Sequence, residues 1–256
     1  MHTPRTPARP RPRARRAAAA VLLCAAVATG AAACGPSPDG AKPKGPFAEL
    51  TGSQVLDKAF AATRAAKSLT VAVDMTSEGE RVKAHLSLDD AGRCTGTLST
   101  GTAATTELIK ADSKEVYLRF DDASLREQTE GESPEVREGV LKALRGHWVR
   151  TPVTDPDTKD VLELCDLASL LDGFEQGASG IVKGGEATVD GRKALTVTEP
   201  DDGGVTRTVY VAAEGTPYVL KIVTKGGDEP GTIAFPQYGK PVVAKVPAAG
   251  DIADIG

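Results

Sequence analysis

The chain has 256 residues, 31 Lys and Arg against 35 Asp and Glu, a formal net charge of −4, and only 4% aromatic residues. That balance argues against nucleic acid as a partner, which requires a basic face. The scarcity of aromatics means that any internal cavity must be walled mainly by aliphatic side chains.

The charge is unevenly placed. Residues 1–33 hold six arginines (Arg5, Arg9, Arg11, Arg13, Arg15, Arg16) and no acid, followed by an Ala-rich apolar run that ends Ala31-Ala32-Ala33-Cys34. A basic start, a short apolar stretch and small residues at a cleavage point form the pattern of an export signal. The competing reading, an uncleaved anchor helix, has against it the shortness of the run and its poverty in Leu. The small residues before Cys34 resemble a bacterial lipobox, with Ala31 in the place usually held by Leu. Cys34 is then the residue that takes lipid through a thioether. Each buried CH₂ of an acyl chain contributes about 0.8 kcal/mol to anchoring. The expected location is the outer face of the cell membrane, lipid-anchored. Arg15-Arg16 is followed by alanines, which favours the general secretory route over twin-arginine export.

Residues 34–46 include GPSPDGAKPKGP, rich in Pro and Gly without an apolar run, and read as a flexible tether behind the lipidated Cys34. Residues 47–256 read as the folded domain. Without residues 1–33 the remainder has 25 basic against 35 acidic residues, so the exported part is distinctly acidic. Cys24 leaves with the signal and Cys34 carries lipid. Cys94 and Cys165 remain as an even pair in an oxidising compartment, and a disulfide is the natural reading, with two buried free thiols as the alternative. A bridge closing a loop of about 70 residues stabilises by ~4 kcal/mol in the chain-entropy picture.

The domain opens with a helix capped by Thr51 or Ser53, on which Val55, Leu56, Ala59, Phe60 and Ala66 share one face. After Lys67 the apolar period becomes two. Leu69, Val71, Val73 and Met75 alternate with polar neighbours, and a turn at Glu78-Gly79-Glu80 leads to Val82, Ala84, Leu86 and Leu88. Strands follow over 94–99, 105–110 and 115–120. Pro134–Leu144 reads as a helix, Trp148–Arg150 as a short strand, and Val161, Leu164, Cys165, Ala168 and Leu171 as the apolar face of one further helix. Strands return over 186–189, 193–198, 205–211, 218–224, 232–235 and 242–246, with Asp190-Gly191 as a hairpin turn. Hairpins joined in sequence make an antiparallel sheet. About ten or eleven strands and three helices place the chain in the α+β class, and a sheet of that width tends to curl.

This order of elements resembles the LprG/LppX-type lipoproteins of actinobacteria, which are similar to the periplasmic carrier LolA. The resemblance covers most of 50–256 and rests on the Cys34 lipobox, the early helix, EVYLRF (115–120), GHWVRT (146–151), TVDGRKALTV, TVYVAAEGTPYVLKI and GTIAFPQYGKPVVAKVP. It implies a strongly curved antiparallel half-barrel with helices on its concave side. It also implies a role in holding the acyl chains of a lipid or glycolipid in an apolar cavity, for carriage or sensing. The candidate wall comprises Val71, Val73, Met75, Leu86, Leu88, Val116, Leu118, Val209, Val211, Leu220 and Ile222. For any one of these alternating residues plain core packing against the helices is the favoured reading, since most alternating apolar positions are simply core. The alternative reading is a filled core whose outer face or loops modulate a membrane or cell-envelope protein.

Catalysis finds little support. His85 sits at a polar position of its strand, and His147 precedes a short strand. No H-E-x-x-H, G-x-S-x-G or S-x-x-K pattern occurs. GASGIVKGG lacks the end of a phosphate loop. No cysteines have zinc spacing, and Asp155, Asp157 and Asp160 lack the calcium-loop offsets. The expectation is a binding protein without metal or cofactor, not an enzyme.

Overall fold

A computed structural model describes residues 45–101, 104–172, 180–200 and 203–254. Cys34, the signal segment and most of the tether lie outside the described residues.

The first helix, α1 (Gly52–Arg64), starts at a capping box. Gln54 N–H donates to the Thr51 hydroxyl (3.2 Å), and Thr51 N–H donates to the Gln54 side chain (2.9 Å). Gly52 is required here, because a Cβ would stand 2.8 Å from the Ile181 side chain. Six strands follow with helices after the fifth: β1 (Ser68–Ser77), β2 (Glu80–Asp89), β3 (Cys94–Thr100), β4 (Ala104–Lys110), β5 (Glu115–Phe120), α2 (Asp122–Gln128), α3 (Pro134–Leu144) and β6 (Val149–Pro152). A 3₁₀ turn (Pro156–Thr158), α4 (Lys159–Glu163) and α5 (Leu167–Asp172) precede the last five strands. Those are β7 (Val182–Val189), β8 (Arg192–Pro200), β9 (Thr206–Ala212), β10 (Val219–Lys225) and β11 (Gly231–Tyr238).

All eleven strands form one open, curved antiparallel sheet in the order β6-β5-β4-β3-β2-β1-β11-β10-β9-β8-β7. Two meanders thus run outward from a central β1–β11 pair. The α+β half-barrel expected from the sequence is what the chain forms. The β1–β6 ladders are in continuous register, whereas the C-terminal half carries bulges at three pairings. Each bulge bends its strand and increases the local twist. One sits at Phe235-Pro236, where two residues oppose Val71, so Pro236 is tolerated in a central strand.

The core lies between the sheet and α1. Val55, Leu56, Ala59 and Phe60 of α1 form one buried cluster with inward residues such as Val71, Leu86, Val197, Val209 and Phe235. Polar ties fix α1 in place. Thr63 accepts from Val219 N–H at 2.9 Å, a bond buried at the β10 bulge. Lys183 Nζ donates to the carbonyls of Phe47, Ala48 and Leu50, locking the segment before α1 onto β7.

Two expectations are corrected. The helix through Val161 and Leu171 is two short helices, because Asp166 caps a new start by accepting from Ala168 and Ser169 N–H. The strand expected over 242–246 is absent. Pro241 and Pro247 lack the N–H a ladder needs, and the segment runs without regular structure to a single parallel bridge between Ile252 and Trp148, the residue before edge strand β6.

Candidate ligand groove

The structure distributes the eleven candidate wall residues unevenly. Val71, Val73, Leu86, Leu88, Val116, Leu118, Val209, Val211 and Ile222 all belong to the main buried cluster, and Met75 packs against it half-buried. Leu220 does not join them. It lies in a separate cluster with Val189, Ala194 and Ala212. The β9–β10 register gives the reason. Val219 pairs with Val211 and Lys221 with Tyr210, so Leu220 is the extra residue of a bulge and lies with the outward face. Most of the ten grouped residues are buried within that cluster. Leu118, Leu88, and the pair Met75 and Ile222 border three different cavities.

The most apolar of these, of about 610 Å³, lies on the concave side of β3–β6. Its floor is Leu98 on β3, Leu118 and Phe120 on β5 and Val149 on β6. Cross-strand pairing puts these side chains on one face, since Leu98 opposes Thr106, Thr106 opposes Phe120, and Leu118 opposes Val149. Val161 and Leu164, from α4 and its C-terminal side, form the opposite wall. Leu144, at the end of α3, and Ser124 and Gln128 of α2 border one side. These helices are held locally. Asp121 caps α2 by accepting from Ser124 N–H at 2.7 Å and binds Thr105 N–H at 3.0 Å, while Arg145 after α3 pairs with Asp122 at 2.7 Å.

Asp155 and Asp157 are the only ionisable side chains among the lining residues. Asp155 is engaged with Asp157 N–H at the start of the 3₁₀ turn. The nearby Arg119–Glu107 pair lies on the other face of the sheet, since both residues alternate with groove-facing neighbours. Trp148 stands with them, its ring 4.6 Å from the Arg119 guanidinium carbon. It therefore faces away from the groove. His85 is likewise on the outward face and exposed, and His147 Nδ1 lies 3.1 Å from the Arg145 carbonyl. Among the described residues, no three His, Cys, Asp or Glu side chains are grouped closely enough to hold a metal.

Cys94 and Cys165 are joined in a disulfide with Cα atoms 5.7 Å apart. It ties the end of the α4 wall to β3, beside the groove floor. Leu98, Phe120 and Val149 were absent from the expected wall, although each sits at an inward position of its own strand. Val161 and Leu164 were legible only as a helix face. Which inward residues stay uncovered depends on where α1 and α4 sit.

A buried charge marks the far end of the sheet. Glu199 pairs with Arg207 at 3.5 Å, and burial pushes its carboxyl above the ordinary value despite that partner. Arg207 also borders the cavity of about 540 Å³ that reaches Met75 and Ile222.

No family model and no curated protein sequence matches the chain. Solved structures do. LprF from Mycobacterium bovis superposes with a TM-score of 0.52 at 15% identity, over 77% of this chain and 97% of its own. The lipoprotein LppX of Mycobacterium tuberculosis aligns over 76% of this chain and 98% of its own, with a TM-score of 0.48 and 12% identity. The chain therefore has the fold of the LprG/LppX-type, LolA-like lipoproteins.

Proposed function

We propose that this is an exported lipoprotein, anchored through Cys34 to the outer face of the cell membrane, that holds the acyl portion of a lipid or glycolipid in the β3–β6 groove. The observation that carries the reading is the groove. A space of about 610 Å³, floored by Leu98, Leu118, Phe120 and Val149, is left open beside the buried core and is the most apolar of the three cavities described. Its size falls within the roughly 300–1,000 Å³ of small-molecule sites. Each CH₂ moved from water into such surroundings gains about 0.8 kcal/mol, so an acyl chain needs no covalent chemistry to be retained. The reading is of binding rather than catalysis, for carriage or sensing, and the signal and lipobox pattern of residues 1–34 supports the location.

The test is to purify the exported protein from its envelope and compare native with denaturing mass spectra. A lipid-sized adduct released on denaturation is the expected result. A bare protein that stays bare after incubation with phospholipid and glycolipid vesicles would instead favour a lipoprotein that modulates an envelope protein.

A further inference from the structure

The disulfide stands where it controls the groove. The wall it ties down is intrinsically weak. Helix α4 has five residues, no side-chain cap, and one exposed internal ion pair, Lys159–Glu163 at 3.7 Å. So short a helix persists only through tertiary ties. Leu171 on α5 is fully buried in the core and anchors the chain beyond. The end of α4, with Leu164 in the groove wall, is joined covalently to the sheet through Cys165 and Cys94.

The two sulfurs are not equally accessible. Cys94 is fully buried, whereas Cys165 is half-buried and borders a separate cavity of about 390 Å³. Lys110 borders the same cavity, and it is the cross-strand partner of Cys94, on the same face. It is the one charged residue among the inward positions of β4 and β5, which otherwise hold Ala104, Thr106, Leu108, Val116, Leu118 and Phe120. Its ammonium donates to the Gly92 carbonyl and pairs with no carboxylate among the described residues. The acids around the cavity are otherwise engaged. Asp89 is bound by Arg93, Asp90 by Lys67, and Asp166 by two backbone N–H groups of α5. Arg64 is the remaining charged neighbour. A cation beside a sulfur stabilises its thiolate and makes it a better leaving group.

We propose that Cys94–Cys165 is a reducible latch on the groove, opened by a dithiol reductant, and that its reduction frees the α4 wall and releases the cargo; this rests on the acyl-groove reading. A thiolate of the reductant attacks Cys165 Sγ from the 390 Å³ cavity. The Cys94–Cys165 bond breaks, and Cys94 leaves as a thiolate, stabilised by Lys110 until it takes a proton. The reductant's second thiol loses its proton and displaces Cys165. The reductant ends as its own disulfide, and both cysteines end as thiols. Leu171 keeps α5 seated, so the opening is confined to the segment around 156–165.

The test loads the oxidised full chain with the fluorescent fatty acid cis-parinaric acid and adds dithiothreitol under native conditions. Thiol appearance, probe release and amide exchange are then followed together. Release about tenfold faster on reduction is expected, the effect of losing a modest part of a disulfide's usual tie. Faster exchange is expected only in peptides over 156–165. Reduction that leaves release and exchange unchanged would overturn the latch. So would exchange rising throughout β1, β9 and α1, which would make the disulfide a staple of the whole fold. A probe that binds neither oxidised nor reduced protein fails the groove reading and the latch with it. That differs from failure of the latch alone, in which the probe binds and leaves both states at one rate. Lys110→Met should slow reduction about tenfold and Lys110→Arg should restore it, with oxidised-state binding unchanged in both. Equal rates in all three proteins would remove Lys110 from the mechanism.

Discussion

The two halves of the sheet are built from the same alternating pattern and end in different states. In the C-terminal half, β7–β11 carries bulges and wraps α1, and the inward residues Val197, Val209, Val211 and Phe235 are sealed. In the N-terminal half, β1–β6 keeps a regular ladder. Its outer strands are covered only by short helices, leaving the groove over Leu98, Leu118, Phe120 and Val149. A strand's alternation states which face is buried. What covers that face decides between core and cavity.

The largest break of this comparison comes from the sealed half. Phe60→Ala removes a nearly buried ring from α1 and should cost about 3–5 kcal/mol in chemical denaturation, with acyl-probe affinity of the remaining folded protein unchanged. Thr63→Val leaves the buried Val219 N–H without its acceptor and should cost about 1–3 kcal/mol, read from the denaturation midpoint. A change below about 0.5 kcal/mol would mean that α1 is held by apolar contacts alone.

The groove half should answer the other way round. Leu98→Trp fills the space rather than emptying it. It should move stability by no more than about 1 kcal/mol while lowering acyl-probe affinity about tenfold in a fluorescence titration. Equal affinity in variant and wild type would relocate the site to one of the other two cavities.

The smallest effect is a pH dependence. Burial raises the Glu199 carboxyl above its ordinary value, so the folded chain holds that proton to higher pH than the unfolded chain does. Its contribution to stability is full below the ordinary value of 4.5 and is lost as pH rises through the folded value. Glu199→Gln should therefore lose less thermal stability than the wild type between pH 4.5 and 7. Parallel melting-temperature curves would show that Arg207 cancels the burial.

Much of the fold was legible in the sequence because it is written in local periods. The β1–β2 hairpin, the Asp190-Gly191 turn and α3 over Pro134–Leu144 each follow from a repeat of two or 3.6 and a turn or cap residue. The site was less legible for three physical reasons. A bulge turned Leu220 outward, and no local signal marks it. Asp166 restarted a helix in the middle of a continuous apolar face. Leu98 and Phe120 look no different in sequence from Leu86, and only the placement of α1 and α4 leaves them open. The Cys94–Cys165 pairing was legible because reading residues 1–34 as a signal and lipobox set Cys24 and Cys34 aside and left an even pair, and the structure joins that pair.

The central claim is that acyl chains occupy the β3–β6 groove and not the α1 face. A photoactivatable fatty acid bound to the protein, followed by irradiation and peptide mapping, tests it directly. The account predicts saturable labelling within 96–108, 116–128 and 158–165, competed by unlabelled fatty acid. Labelling centred on Val55–Phe60 and β9–β10, or labelling that never saturates, would contradict it.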